Sequence, residues 1–516
     1  MASRRDELSA YTFAKKVVVS SLLEPAGNGT EENAPRPLRA VVPGLVIGAL
    51  ILAGFGAWGM FKPRVPKGWD EPGAKVIVGK ESTTRYVVLT TGKGKDKKTL
   101  LHPVTNLASA RLLLKPEEYG VVQVDDEILD AGKPPLGPIL GIPYAPDRLP
   151  PEDEAGKAKR WAVCQQPGGG KGDPVQQAAF VFADRDLKKT EGKSRLSGGQ
   201  ILYVNDKRGK RYLVDASGTK YLVAGRAGDL LERALVGLNK KPQPVTDAWL
   251  ATLHEGSPVD FPRIPGTIGA PADIDGGLSG QENQVGRVLR AQTGDGPQHY
   301  VVLQGTVQPV SDFTAWLLIN SPQTDKLNMR GSAATVDAQS FTPDPGSFAS
   351  QYDWPKNKPA QVNSASGGSG SGRDTVCNVL RKVDDDGDTT LSTWAGADYP
   401  AELSAGGTSS YVTPGSGLLY TQIRGRQTKP NGSLFLVTDT GLRYAVQANG
   451  DSDADRSDIG TGDQQKPNDG RPEPSDAQRR LGYESVTPAL IPYAWSEFLA
   501  KGPRLDSNSA RQPQGS

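Results

Sequence analysis

Two cysteines, three histidines, one glycine-lysine-serine triplet and two acidic runs are the residues of this 516-residue chain that could do chemistry. The histidines, His102, His254 and His299, each border a separate strand pattern, which favours structural roles over convergent acid-base work. No GxSxG, HExxH or CxxC occurs. A magnesium-nucleotide loop needs glycine amides around phosphate and GK followed by Ser or Thr at a helix start. Gly192-Lys193-Ser194 supplies the last three residues, but Leu187 stands where the first glycine belongs and no strand leads in. The other cluster, Gly168-Gly169-Gly170-Lys171-Gly172, lacks the hydroxyl for magnesium. Asp451, Asp453 and Asp455 alternate as a calcium loop begins, yet Arg456 fills the sixth position instead of glycine and Gly462 the twelfth instead of glutamate. Asp384 to Asp388, DDDGD, is out of register for that pattern too, so both runs read as solvated loops. Catalytic, cofactor-binding and metal residues are therefore expected to be none.

That leaves Cys164 and Cys377. An even pair in a region placed outside a membrane reads most economically as one disulfide. The alternative is two unpaired thiols in a cytosolic domain. Closing a loop of about 214 residues would contribute roughly 5 kcal/mol in the chain-entropy model.

The elements that must position this pair begin with Ala40 to Phe61, AVVPGLVIGALILAGFGAWGMF, which has no polar side chain. At about 1.5 Å per residue it covers roughly 33 Å, enough for a hydrocarbon core of about 30 Å. Arg36 and Arg39 bound it on one side, Lys62, Arg64 and Lys67 on the other. A cleaved signal would have a shorter apolar run nearer the N-terminus, so a retained anchor is expected. Its flanking charges are heavier on the C-terminal side, opposite to what an external C-terminal region requires, so they do not orient it. Within it, Ala49, Ala53 and Ala57 form a small-residue stripe of the kind that lets membrane helices approach. Ahead of it, Ser3 to Leu23 reads as a helix with Ser3 as N-cap and Asp6 three residues on. That helix suits either a lipid surface or a cytoplasmic partner. Beyond Phe61, 54 Lys and Arg face 53 Asp and Glu, so no field favours nucleic acid.

Past the membrane the chain repeats itself. Tyr86 to Leu114 and Tyr300 to Ile319 share YVVL, then PV, a Thr or Ser cap and an Ala/Leu-rich helix. A second kind of unit is ILYVNDKRGKRYLVDASGTKYLV from Ile201 and LLYTQIRGRQTKPNGSLFLVTDTGLRYAV from Leu418, each with a hairpin glycine, Gly218 or Gly441. Tyr86 to Cys164 is 78 positions and Tyr300 to Cys377 is 77. Two matching inserts, each with one thiol, read as halves of one module pinned by one bond.

The fold class expected is α+β, a single N-terminal transmembrane helix followed by an elongated extracytoplasmic region of four small α/β repeats around a β-rich central domain. The domains expected are a cytoplasmic helix and linker over 1–39, the transmembrane helix over 40–61 and repeat units over 62–120, 198–265, 280–325 and 415–502. Central halves are expected over 121–197 and 326–414, and a disordered tail over 503–516. Ser364 to Gly372, SASGGSGSG, is expected to be a flexible loop.

The ordered set of RRDELSAYTFAKKVVVSSLL, one span soon after, YVVL with HPVTNLASARLLL, and one cysteine per half resembles EccB, a membrane subunit of the type VII (ESX) secretion system. The resemblance implies a cytoplasmic N-terminus, a periplasmic region of four repeats around a disulfide-bearing centre, and localisation as a single-pass protein of the inner membrane. It also implies assembly with the EccC motor ATPase, EccD and EccE, contact with the mycosin protease, and homo-oligomeric contacts. A scaffold role follows from it. ATPase activity, with ATP as the ligand, is a property the resemblance alone would supply, and binding of cell-wall polymer is a further reading.

Overall fold

Two bodies make up the chain, Met1–Val65 and Pro66–Ser516. The computed structural model describes residues 4–23, 38–61, 66–92, 97–168, 174–224, 229–365, 372–403, 409–425, 433–447 and 474–514. In the first body α1 (Arg4–Leu23) has every side chain exposed. Ser3, the expected N-cap, lies outside the described residues. The second helix, α2 (Leu38–Phe61), runs for 24 residues with Pro43 inside it. Its side chains are described over 41–55, where Val41, Leu45, Ile47, Leu50, Leu52 and Phe55 are all exposed. The apolar run of the sequence is therefore helical from end to end. Among the described residues no helix is long and apolar enough to cross a membrane.

In the second body the first repeat lays down β1 (Lys75–Gly79), β2 (Arg85–Thr91) and β3 (Lys98–Val104) as an antiparallel meander. It crosses through α3 (Leu107–Leu113) and adds β4 (Gly120–Val124) parallel to β1. After α4 (Asp126–Asp130) the chain returns to the far edge, where Leu136 and Leu140 bridge in parallel to Leu101 and Val104. Then α5 (Glu152–Ala155) leads into a hairpin of β5 (Arg160–Gln166) and β6 (Gln176–Phe182).

The second repeat takes the same path. Its meander is β7 (Gln200–Asn205), β8 (Arg211–Val214) and β9 (Thr219–Leu222). After α6 (Asp229–Val236), β10 (Gln243–Pro244) joins β7 in parallel; after α7 (Asp247–Leu250), β11 (His254–Glu255) joins β9 in parallel. The third repeat has β12 (Val288–Thr293), β13 (Gly296–Leu303), β14 (Thr306–Val310) and α8 (Asp312–Ile319). It continues with β15 (Ala334–Val336) parallel to β12 and a parallel bridge from Val307 to Pro343. From there β16 (Ala360–Gln361) pairs with the start of β7. The second central hairpin is β17 (Thr375–Val383) and β18 (Thr389–Gly396), followed by β19 (Ser410–Val412), which pairs with β6. The fourth repeat comprises β20 (Leu418–Ile423), β21 (Leu434–Val437), β22 (Leu442–Ala445) and α9 (Asp476–Arg480). It closes with β23 (Ala489–Pro492), α10 (Tyr493–Ser496), β24 (Ala500–Lys501) and α11 (Ser507–Ala510).

All four repeats therefore share one topology, where the sequence suggested two alternating kinds. The likeness was hidden because YVVL lies on the middle strand of the meander in repeats one and three, whereas ILYV and LLYT lie on its first strand. The caps also differ: Asn106, not the preceding Thr105, accepts from Ser109 N to start α3, and Ser311 accepts from Thr314 N to start α8.

A shared close contact confirms the alignment of the repeats. The amide of Gly137, Gly256 or Gly502 donates to the third meander strand, at Leu101 O, Lys220 O and Arg443 O, each at 2.9 Å. Over each glycine lies the side chain of the next residue of that strand: His102, Tyr221 or Tyr444. A Cβ on any of the three glycines would land inside the ring's contact distance. In the third repeat the equivalent amide is that of Asp344, donating to Val307 O at 2.8 Å, and no ring is placed there.

Shared cores join the parts in pairs. Helix α3 of the first repeat packs with α9 and α11 of the fourth, burying Leu112, Leu113, Leu481, Tyr483 and Leu505 together. Helix α8 of the third packs with α6 of the second through Phe313, Leu317, Leu231 and Leu235. Repeats two and four both rest on one face of the central sheet, each through a fully buried tryptophan at an equivalent place, Trp249 and Trp495.

These contacts move the expected boundaries. Repeat one runs on past 120 through β4 to Leu140, and repeat three past 325 to Pro343, because each needs its parallel return strand. The tail over 503–516 was expected to be disordered; instead Leu505 and Ala510 are fully buried and Asp506 caps α11. Leu505 occupies the place of Leu140 and Val259, the end of the return segment, so it completes the fourth repeat. Positions 366–371 of the glycine-serine loop lie outside the described residues.

Gly256→Ala and Gly502→Ala should each lower the unfolding free energy by about 1–3 kcal/mol, the cost of forcing a methyl into a packed ring contact. Gly280→Ala, which meets nothing within 4 Å, should leave it unchanged. Guanidinium denaturation followed by tryptophan fluorescence would read this; equal midpoints for all three variants would contradict the shared-contact assignment.

Candidate functional site

Strands β5 and β17 pair antiparallel in the middle of the five-stranded central sheet, and their register sets Cys164 directly opposite Cys377. The two are bonded, with S–S 2.03 Å and Cα atoms 4.0 Å apart, and both are fully buried. Phe180, Phe182, Val379 and Trp394 surround the bond on one face of the sheet. The other face, with Trp161, Val163 and Val376, carries repeats two and four. The single covalent cross-link thus joins the two duplicated halves where their sheets merge.

The histidines do not converge. His102 lies in repeat one, His254 in repeat two and His299 in repeat three. His254 Nε2 meets Thr389 Oγ1 at 2.7 Å, and His299 Nδ1 meets Asp312 Oδ1 at 2.8 Å. His102 is fully buried, its Nδ1 2.9 Å from Pro138 O, so that nitrogen donates and Nε2 is left as a buried acceptor without a partner. Burial holds its pKa below the usual imidazole value. Among the described residues no group of three or more His, Cys, Asp or Glu side chains could hold a metal ion.

Gly192–Ser194 forms a single 3-10 turn that follows another 3-10 helix, Asp184–Thr190, so no strand leads into it. Lys171 and Asp451, Asp453 and Asp455 lie outside the described residues. The DDDGD run closes the β17–β18 hairpin: Asp388 N donates to Asp384 Oδ1 at 2.8 Å and Gly387 N to Asp384 O at 3.0 Å.

What gathers beside the 3-10 turn is a carboxylate among arginines. Glu191 accepts from Arg160 of β5 at 2.7 Å, Arg381 of β17 at 2.5 Å and Arg195 at 2.9 Å. Burial alone would raise the Glu191 pKa, but the hydrogen bonds and charges of Arg381, Arg195 and Arg160 hold it below the usual carboxylate range. Next to this node a cleft of about 560 Å³ opens between the central sheet and repeat two, lined by Gly192, Arg195, Ser197, Ala216, Ser217 and Leu391.

Between repeats one and four the polar contacts are reciprocal. Arg111 Nη1 donates to Leu481 O at the end of α9, and Arg480 Nη1 donates to Leu114 O at the end of α3, at 2.6 Å. Each arginine thus satisfies a C-terminal carbonyl of the other helix, where the helix dipole favours a cation. Gly482, at φ +82°, leaves the room that the Arg111 guanidinium occupies. The matching seam between repeats two and three is aromatic: Trp316 Nε1 donates to Ala234 O at 2.6 Å. Sequence reasoning identified none of Glu191, Arg111, Arg480 or Trp316. The arginine partners lie about 370 residues apart, and only the helical setting of RLLL before Lys115 hinted that Arg111 sits in a last turn.

Two outcomes follow. Replacing both cysteines by alanine should lower stability by up to about 5 kcal/mol, the loop-closure value for a separation of 213 residues, while far-UV circular dichroism stays that of the wild type; an unchanged denaturation midpoint would contradict it. For His102 the unfolded chain takes up a proton before the folded one, so stability is complete above a pH of about 6.5 and falls as pH drops toward the lower folded pKa. His102→Gln should make the loss between pH of about 7.5 and 5 smaller; an unaltered pH slope would rule the histidine out as its source.

Comparison with known proteins bears on the whole chain. Residues 1–515 match the family model "Type VII secretion system ESX-1, transport TM domain B". The "ESX-1 secretion system ATPase EccB1" of Mycobacterium tuberculosis strain H37Rv is 29% identical over 284 residues, 54% of this chain and 53% of that protein. The matched segment thus spans about half the length of that relative. The "ESX-3 secretion system ATPase EccB3" of Mycolicibacterium smegmatis is 26% identical over 470 residues, 86% of this chain and 82% of that one. Among solved structures, an intact ESX-5 inner membrane complex contains a chain similar in fold, with TM-score 0.56 and 20% identity, covering 100% of this chain and 96% of its own. An EccB3 dimer from the ESX-3 core complex gives TM-score 0.53 at 22% identity, over 85% of this chain and 99% of that one. With the duplicated halves, the four repeats and the central cross-link in place, the chain belongs to the EccB family of the type VII (ESX) secretion system.

Proposed function

We propose that this chain is a membrane-anchored scaffold subunit of an ESX-type secretion complex, supporting protein export across the inner membrane. The observation that carries the reading is where the bonding is spent: the disulfide, the Glu191 node and the reciprocal arginines each tie together segments far apart in the chain. Such cross-links make a body of fixed shape. A fixed body preceded in the chain by a helix that is apolar from Ala40 to Phe61 suits a part that aligns others.

The anchor is α2. The side chains described over 41–55 make too short an apolar stretch to span by themselves, but the apolar sequence runs on to Phe61, and 24 helical residues would reach about 36 Å against a hydrocarbon core of about 30 Å. Its exposed Val, Leu, Ile and Phe side chains need an apolar surrounding, and lipid provides one. With α1 on the cytoplasmic side, the cross-linked body lies on the periplasmic side, where a disulfide persists. Partners on this reading are the EccC motor ATPase, EccD, EccE and the mycosin protease, with further copies of this chain. The relatives carry "ATPase" in their names; for this chain nucleotide turnover is the second reading, and purified protein assayed for phosphate release decides it.

Affinity purification from native membranes in mild detergent should bring down a motor ATPase and a multispanning subunit with the chain. Deleting residues 40–61 should move the protein to the soluble fraction and lose both. Recovery of the intact chain free of any such subunit would defeat the scaffold reading.

A further inference from the structure

The 3-10 turn at Glu191–Arg195 has a charge that its structural role leaves unbalanced. Three guanidinium groups, from Arg160, Arg195 and Arg381, share the one carboxylate of Glu191, an excess of two positive charges. Two more cations stand at the turn: Lys193, exposed on it, and Arg373, which reaches it from elsewhere in the chain and donates from Nη2 to Lys193 O at 2.9 Å. Asp215, the residue before cleft-lining Ala216, is taken up by Ser217, Thr219 and Tyr221, which all donate to it. Among the described residues, Arg160 Nε and Arg373 Nη1 are buried with no hydrogen-bond partner. Burial first, and then the Arg381 charge, hold the Arg160 pKa below its ordinary value. In a chain whose net charge is +2, this concentration on one turn is a local feature.

We propose that the Glu191–Arg195 turn, backed by Arg160, Arg373 and Arg381, forms a binding site for a phosphoryl dianion at the mouth of the cleft between the central sheet and repeat two, which Arg195 itself lines. Guanidinium forks match the oxygens of a phosphoryl group two at a time, and with Lys193 and Arg373 the five cations exceed the one carboxylate by four charges, more than a dianion needs for neutralisation. The cleft, at about 560 Å³, admits the group together with part of what carries it, and Ser197 and Ser217 border it with hydroxyls. The phosphoryl group can come from a soluble molecule or from a lipid headgroup; both present the same oxygens. This goes beyond the scaffold reading and is independent of it.

The test is calorimetric titration of inorganic pyrophosphate into the detergent-solubilised chain. Saturable binding is expected, weakened about tenfold or more by Arg195→Gln or Arg373→Gln, a loss of about 1.4 kcal/mol per tenfold. Glu191→Gln removes the competing carboxylate and should tighten binding several-fold, a gain that a purely structural role would not produce. Arg195 is 42% exposed, so its variant should melt at the wild-type temperature and keep the result readable. Competition by phosphatidic acid vesicles but not by a soluble nucleotide assigns the headgroup source; the reverse assigns a soluble one. Absence of saturable binding, or equal affinity in the wild type and the Arg195→Gln, Arg373→Gln double variant, overturns the site.

Discussion

The antiparallel pairing of β5 with β17 is the contact on which the rest of the second body depends. It is the place where the two duplicated halves become one sheet, and its register brings the only two cysteines face to face. Backbone pairing and covalent bond coincide, so a slip of one residue would break both at once. Such a slip would also turn Trp161 and Val163 to the face that holds the disulfide, and remove them from the face that seats repeats two and four. Register, cross-link and repeat docking are therefore one constraint.

About that seam the molecule is nearly twofold in its bonding pattern. Repeat one relates to repeat three and repeat two to repeat four, and the pairs that pack together, one with four and three with two, exchange under the same relation. The two seams nevertheless use different chemistry. Between two and three, which are adjacent in sequence, the helices meet through Phe313, Leu317 and Trp316. Between one and four, reciprocal arginines cap the ends of α3 and α9. Directional bonds to carbonyls fix the alignment at both seams, a reciprocal charged pair at one and the single Trp316 bond at the other.

Much of this was legible in the sequence, and the misses have a common cause. The helix over Ala40–Phe61, the hairpin glycines at 218 and 441, and the duplication with one thiol per half were readable because each is a local pattern or a spacing. The unity of the four repeats was not, because the most similar strings, YVVL and ILYV, sit on different strands of the same meander. The tail past 503 was misjudged on its polar composition, although Leu505 completes a sheet edge, Asp506 caps α11 and Ala510 is buried. The Glu191 node and the arginine seam were invisible for a stronger reason: they join residues brought together only by the fold, such as Arg111 with Leu481.

The arginine seam must hold itself together, and a comparison of magnitudes shows why. Bringing Arg111 to Leu481 closes a chain of 370 residues. With Cys164 bonded to Cys377, the shortest covalent route falls to roughly 160 residues, but closure entropy grows only as the logarithm of length, so the saving is about 0.8 kcal/mol. The cross-link thus prepares the encounter of repeats one and four only slightly. What holds them is the buried apolar core of Leu112, Leu113, Leu481, Tyr483 and Leu505, several side chains each contributing about 1.5–3 kcal/mol. The arginines then select the alignment, and the disulfide secures the central sheet.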